Sequence, residues 1–338
     1  MNSSFEFLDY LIFVIYAVVI LGLGLWVSRN KEGEEKSAED YFLAGKSLPW
    51  WAIGASLIAA NISAEQFIGM SGSGFALGLA IASYEWMAAI TLIIVGKYFL
   101  PIFIEKKLYT IPEFVEKRFS SQLKTILAIF WISLYIFVNL ASVMYLGGLA
   151  LETIIGIDLV YAVLGLALFA AAYSLYGGLT AVAWTDIIQV VFLVLGGLVT
   201  TYLALDTVSQ GQGVIEGLKS IYNVAPDRFE MILDKANPEY KNLPGIGVLV
   251  GGLWVANLYY WGFNQYIIQR TLAAKSLEES QKGILFAAGL KLIIPFIVVI
   301  PGIAAYVIVN DPEILNGLGE NSMLNIPAEG KADKAYPW

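Results

Sequence analysis

A chain of 338 residues that is 58% hydrophobic and only 14% charged, with a mean hydropathy of +0.70, lies far outside the soluble globular range and reads as an all-α polytopic membrane protein. Its formal charge of -8 argues against a nucleic-acid partner, which needs concentrated Lys and Arg. Cysteine and histidine are both absent, which excludes disulfides, thiolate nucleophiles and the commonest metal-ligand and proton-relay side chains, so any proton chemistry falls to carboxylates.

The first apolar run, residues 9–28, spans a hydrocarbon core of about 30 Å at about 1.5 Å per residue. No basic residue precedes it and no small-residue cleavage site follows it, so it reads as a retained span and not as a signal peptide. Residues 50–74, WWAIGASLIAANISAEQFIGMSGSG, have spanning length but carry Asn61, Ser63, Glu65 and Gln66 midway, with Gly69, Gly72 and Gly74 beside them. A uniform spanning helix has no reason to bury such a cluster. The segment reads as a discontinuous helix whose freed carbonyls suit a hard cation such as sodium.

A third span covers residues 77–103. In the basic loop KKLYTIPEFVEKRF, Thr110, Pro112 and Glu113 mark the start of a short surface helix. Spans four and five follow at 123–155 and 159–176, and YGGLTAVAWTDIIQ opens a sixth that ends near 205. Its Asp186 reads either as a helix N-terminal residue favoured by the dipole or as a functional carboxylate. A polar connection precedes span seven (246–268), then QRTLAAKSLEESQKG, span eight (284–309) and a polar tail. Basic residues in short loops, among them Arg29, Lys46, Lys97, Lys106, Lys107, Arg270, Lys275 and Lys282, fall on one side if the N-terminus is outside, as the cytoplasmic excess of Lys and Arg requires. Eight spans with both ends outside follow, in a cell (inner) membrane.

Two charges fall inside spans, Glu85 in IASYEWMAA and Lys291 in AAGLKLIIPF. On insertion scales each costs about 2.5 to 3.5 kcal/mol at a helix centre. They read as a structural ion pair, as groups facing a wet cavity that bind a polar solute, or as both. In span seven Asn257, Tyr260, Trp261 and Asn264 fall at i, i+3, i+4 and i+7, one stripe of an α-helix. Carboxamides at membrane depth turn that stripe from ordinary aromatic packing toward a cavity wall. Amides, a carboxylate and an ammonium beside aromatic faces suit a neutral polyol, whose hydroxyls need donors and acceptors while its C–H face stacks on rings.

YGGLTAVAWTDIIQ, QRTLAAKS and AANISAEQFIGMSGSG, with YFLAGKSLPWWA and GGLWVANLYYWGFNQYIIQRTLAAKS, resemble the solute:sodium symporter family, in its sodium/glucose cotransporter branch. The resemblance runs the length of the chain. It implies a single transmembrane domain over 1–338 built on two inverted five-helix repeats, with 9–28 an extra N-terminal span and 50–205 the first repeat. Residues 206–245 would be an external loop, 246–309 the start of a truncated second repeat and 310–338 a further external loop. By resemblance Gln66, Glu85, Asn257 and Lys291 bind sugar with Asn61 nearby. Tyr260 is the inner gate with Trp261 beside the sugar, Met70 and Tyr84 belong to an outer gate, and Ala59 and Ile62 offer carbonyls to sodium, with Asp186 on the ion's inward path. Ala88, after EWM, stands where galactose-carrying members are expected to place a serine hydroxyl. The chain ends before the helix expected to supply the paired serines of the sodium site and a further glutamine ligand, so a fragment of a longer protein is expected.

The function this implies is sodium-coupled symport of a monosaccharide of galactose/glucose type by alternating access. The partners are sugar, Na+ and the lipid bilayer, and a homo-oligomer is compatible with the sequence. The alternatives are symport of another small solute (sialic acid, an amino acid) or a non-transporting membrane sensor. An intramembrane enzyme using Glu85 and Asp186 ranks last, because no nucleophile motif accompanies them.

Overall fold

The computed structural model describes residues 7–29, 37–62, 65–243, 245–311 and 314. Ser63, the side chain of Glu65 and the tail beyond 314 lie outside the described residues. Those that are described form helices α1 (Phe7–Val27), α2 (Ala38–Leu43), α3 (Trp50–Asn61), α4 (Ser71–Leu77), α5 (Ser83–Ile94), α6 (Leu100–Glu105), α7 (Ile111–Arg118) and α8 (Ser121–Leu134). They continue with α9 (Ala141–Ile155), α10 (Leu159–Val208), α11 (Val214–Val224), α12 (Gly245–Gly247), α13 (Leu253–Leu258), α14 (Gln265–Leu272) and α15 (Leu277–Asn310). Six helical runs among them are long and apolar enough to cross a membrane.

That number reflects where the chain kinks. α10 has 50 residues, about 75 Å of helix and over twice a bilayer core, but it is broken at Gly178, whose φ of 61° and ψ of -151° are not helical. A Cβ on Gly178 would lie 2.4 Å from the Tyr41 carbonyl, so the glycine pair of YGGLT serves both a left-handed turn and a close approach. Conversely α3 stops after 12 residues, because the chain leaves the helix at Ile62 (φ -88°, ψ 87°) and resumes as a π-helical turn at Glu65–Met70. The expected interruption is therefore present.

The chain divides into two compact units, one of Met1–Ser63, Ile90–Val190 and Leu258–Gly289, the other of Ala64–Ala89, Val191–Asn257 and Leu290–Trp338. In the first unit α3 meets the start of α15 through glycines. A Cβ on Gly54 would fall 2.5 Å from the Phe286 ring, and one on Gly283 would fall 2.8 Å from Ile53, so backbones approach as small residues allow in membranes. Pro49 gives α3 no side-chain cap, and Glu279 supplies one instead, accepting from the Trp50 N–H at 2.8 Å. The basic loop folds as expected, with Thr110 capping α7 through the Glu113 N–H at 3.2 Å.

In the second unit, Val299, Ile300, Ile303, Ala304, Val307 and Ile308 of α15 form a core with Leu205, Val208, Ile221 and Ala82. α4 lies against α15 so closely that a Cβ on Gly302 would meet the Ser71 carbonyl at 2.1 Å. The connection after α10 is more ordered than its polar composition suggests: it contains α11, which buries Gly217 and Ile221. Outward-facing apolar side chains such as Phe7, Phe137, Leu168 and Val250 are more than 70% exposed, a surface suited to lipid and not to water.

Candidate functional site

The polar residues of the second unit gather on α5, α15 and the π turn after the break. Glu85 in the first turn of α5 and Lys291 in α15 are 4% and 0% exposed. Lys291 Nζ lies 2.5 Å from Glu85 Oε2, while Gln66 Nε2 donates to Glu85 Oε1 at 2.7 Å. Both carboxylate oxygens are thus engaged, one by an ammonium and one by an amide. Gln66 Nε2 also lies 3.3 Å from the Met70 sulfur, and Met70 packs on the apolar core. Four residues beyond Lys291 stands Pro295, which has no N–H to give the Lys291 carbonyl, so the helix leaves that carbonyl without its usual donor. Asn257, 7% exposed, turns its Nδ2 back to the Leu253 carbonyl at 3.0 Å. Tyr84 is 39% exposed and Ala88 buried at 2%.

The regular stripe expected at 257–264 is not formed. α13 ends at Leu258, a π-helical turn takes Tyr259–Phe263, and Asn264 leaves the helix at φ -79° and ψ 120°. The widened turn shifts the register by about one residue, so an α-helical i, i+3, i+4, i+7 face does not survive. What replaces it, within the first unit, is a hydroxyl and amide chain. Asn61 Nδ2 donates to the Tyr260 hydroxyl at 3.1 Å, the Tyr260 and Tyr266 hydroxyls are 2.7 Å apart, and Tyr135 donates to Asn264 Oδ1 at 2.7 Å. Trp261, 2% exposed, sets its ring 5.1 Å from that of Tyr260, edge to face.

The end of α3 has the chemistry of a hard-cation site. Its last carbonyls, that of Ala59 included, lack an i+4 donor within the helix, and Ile62 is already outside it, its N–H bonded to Ile58 at 2.7 Å. These oxygens sit at the negative end of a helix dipole. Three residues before Ala59 and on the same helical face, Ser56 donates to Asp186 Oδ2 at 2.5 Å. Asp186 is 6% exposed and lies well inside α10, beyond the Gly178 kink, so the reading of it as a first-turn helix residue is corrected. Its ion-pair partner among the described residues is Arg270, with Nη2 at 3.6 Å.

Arg270 was not expected there. By loop position it falls among the cytoplasmic cations, yet it is 8% exposed, donates from Nε to Ser56 Oγ at 2.9 Å and from Nη1 to the Tyr266 carbonyl. The available signal was its place in QYIIQRTL, where Ile267, Thr271 and Leu272 are buried around it.

A profile of the sodium:solute symporter family matches residues 41–337. A Vibrio parahaemolyticus sodium/glucose cotransporter is 72% identical over 337 residues, covering 100% of this chain and 62% of that protein. The human sodium/myo-inositol cotransporter 2 is 34% identical over 351 residues, covering 97% of this chain and 50% of that protein. The chain therefore spans between half and two thirds of the length of these relatives. Among solved structures, a Na+-coupled sialic acid symporter in a substrate-bound outward-open state matches with a TM-score of 0.82 at 25% identity, covering 99% of this chain and 66% of that one.

Proposed function

Because the chain belongs to the sodium:solute symporter family, we propose that it acts in sodium-coupled symport of an uncharged sugar of galactose/glucose type, with Gln66, Glu85, Asn257 and Lys291 as its sugar ligands and Asn61 nearby. One observation carries the choice of an uncharged solute. The Lys291 ammonium is matched by Glu85 at 2.5 Å, so the site is neutral as a whole and has no spare cation for a carboxylate solute. It offers both donors and acceptors, which a polyol requires. Bound hydroxyls would share the ion pair, accepting from Lys291 and donating to Glu85, while the Asn257 amide turns from Leu253 toward the solute.

In the first unit Tyr260, held by Asn61 and Tyr266, would serve as inner gate with Trp261 beside it. Met70 and Tyr84 of the second unit would serve at the outer gate. Sodium is cargo here, held by the carbonyls of Ala59 and Ile62 and passing Asp186 on its way inward. Sodium binding at the end of α3 and solute binding at Gln66 act on the two sides of one helix break, and each would favour the conformation that accepts the other. The eight-span topology, with the N-terminus outside an inner membrane and the inverted-repeat division at 50–205 and 246–309, belongs to the same proposal. It is supported by the kink at Gly178 and the break after Asn61.

The test is uptake of labelled galactose and glucose by proteoliposomes holding the complete protein. Accumulation should require a sodium gradient, and excess sialic acid or proline should not compete. Uptake unchanged when choline replaces sodium would overturn the proposal.

A further inference from the structure

We propose that Arg270 is a tethered cation that neutralises Asp186 between sodium ions and yields the carboxylate when an ion arrives. The proposal rests on the reading of Asp186 as a station on the sodium path. A buried carboxylate at membrane depth cannot stand uncompensated, and its partner here is a guanidinium that is itself 8% exposed.

The contact is built to be broken. Arginine and carboxylate commonly meet fork to fork through two parallel hydrogen bonds, but here Nη2 stops at 3.6 Å from Oδ2. The closer link runs through Ser56, which accepts from Arg270 Nε at 2.9 Å and donates to Asp186 at 2.5 Å. A sodium ion entering this trio would find two oxygen ligands, the Asp186 carboxylate and the Ser56 hydroxyl, both now turned to Arg270. On releasing them the guanidinium keeps its bond from Nη1 to the Tyr266 carbonyl, so it has a second seat.

That seat connects the exchange to the gate. The hydroxyl of Tyr266 is 2.7 Å from that of Tyr260, and Tyr260 accepts from Asn61 in the last turn of α3. Ser56 and Asn61 are on the same helix. Arg270 is thus one residue, Tyr266, away from Tyr260, so a shift of the guanidinium on leaving Asp186 would be felt there. A positioning role of this kind differs from simple support of the fold, because it makes Arg270 a competitor of the ion.

The experiment measures sodium affinity of the complete protein in detergent, without sugar, by binding of radioactive sodium and by the sodium dependence of the melting temperature. Removing the competitor in R270Q should tighten sodium binding by about fivefold or more, a coupling at the low end of the usual range. It should also lower the maximal rate of sodium-driven uptake, because the ion leaves Asp186 more slowly. In a D186N background the same substitution should bring no tightening. R270K keeps a cation without the fork and should tighten sodium binding by less than R270Q, which makes it the second measure if R270Q does not fold. Unchanged or weaker sodium affinity in both Arg270 variants, or equal tightening in D186N, would overturn the proposal. If instead D186N alone binds sodium as the wild type does, the reading of Asp186 as a sodium station fails, and the tethered cation with it. Weaker binding by D186N with no gain in R270Q refutes the tethered cation alone.

Discussion

Among the described residues each unit buries one carboxylate with one cation, and the two pairs are built differently. In the second unit Lys291 and Glu85 are in direct contact at 2.5 Å, 0% and 5% exposed, with Gln66 on the other carboxylate oxygen. In the first, Arg270 and Asp186 stand 3.6 Å apart with Ser56 between them. A direct, desolvated pair is hard to separate, since parting it leaves two uncompensated charges. In the proposed function it would act as a fixed neutral platform whose polar atoms are shared with an incoming hydroxyl. A hydroxyl-relayed pair keeps its charges balanced while either partner is exchanged. The proposed function would place sugar recognition on the first design and ion passage on the second.

The largest effect is expected from breaking the fixed pair on one side. K291A leaves Glu85 buried and alone, and should destabilise the protein by about 3 to 5 kcal/mol while abolishing galactose binding. The double variant E85Q/K291Q separates the two roles. It removes both charges, so the melting temperature should recover most of the loss, but sugar binding should not return. Thermal unfolding and equilibrium binding of labelled galactose, measured side by side, check both. Recovery of binding in the double variant would mean that the pair is structural only.

Next in size is Q66A. Glu85 keeps its lysine, so stability should change by only about 1 kcal/mol. A solute hydroxyl loses its amide partner, and sugar affinity should weaken about tenfold, near 1.4 kcal/mol. On the relayed pair, S56A removes the hydroxyl that joins Arg270 to Asp186 and should cost about 1 to 2 kcal/mol in stability. Its signature is a change in sodium dependence with galactose affinity at saturating sodium preserved. A fall in sugar affinity as large as that of Q66A would erase the distinction between the two pairs.

How much of this was legible in the sequence follows from the physics of each feature. The break after Asn61 could be read because polar side chains and glycines in an apolar run have no place in a regular span. Glu85 and Lys291 stood out for the same reason. The π turn at Tyr259–Phe263 left no such mark, since YYWGF suits either helical geometry. The burial of Arg270 was not legible, because a basic residue near a loop fits the cytoplasmic bias equally well whether it faces water or turns inward. α11 was legible and passed over: Val214, Gly217, Leu218 and Ile221 repeat at helical spacing within a connection that looked polar. The Gly178 kink lay inside a recognised motif, but its φ of 61° is a backbone fact that a paired glycine only hints at.

The smallest effect is expected where a pair is neither fixed nor relayed but solvated. Lys282 and Glu278, one turn apart at the start of α15, meet at 2.7 Å with 51% and 75% of their side chains exposed. The hydrogen bond and charge of Lys282 hold the Glu278 carboxyl below its usual range, and the same contact raises the ammonium of Lys282. Glu278 therefore adds stability that is present above the unfolded carboxylate range and is lost as pH falls through its lowered value. Lys282 adds stability that is present below its unfolded value and is lost as pH rises through its raised one. Between those limits K282A should lower the melting temperature less than any of the buried changes, and the difference should vanish in about 1 M salt, where screening acts within about 3 Å. The loss in K291A should persist in the same salt, because no counterion reaches a pair with 0% and 5% exposure. A salt-sensitive Lys291 would mean that the pair is hydrated, and with that the contrast between a fixed platform and an exchangeable pair would disappear.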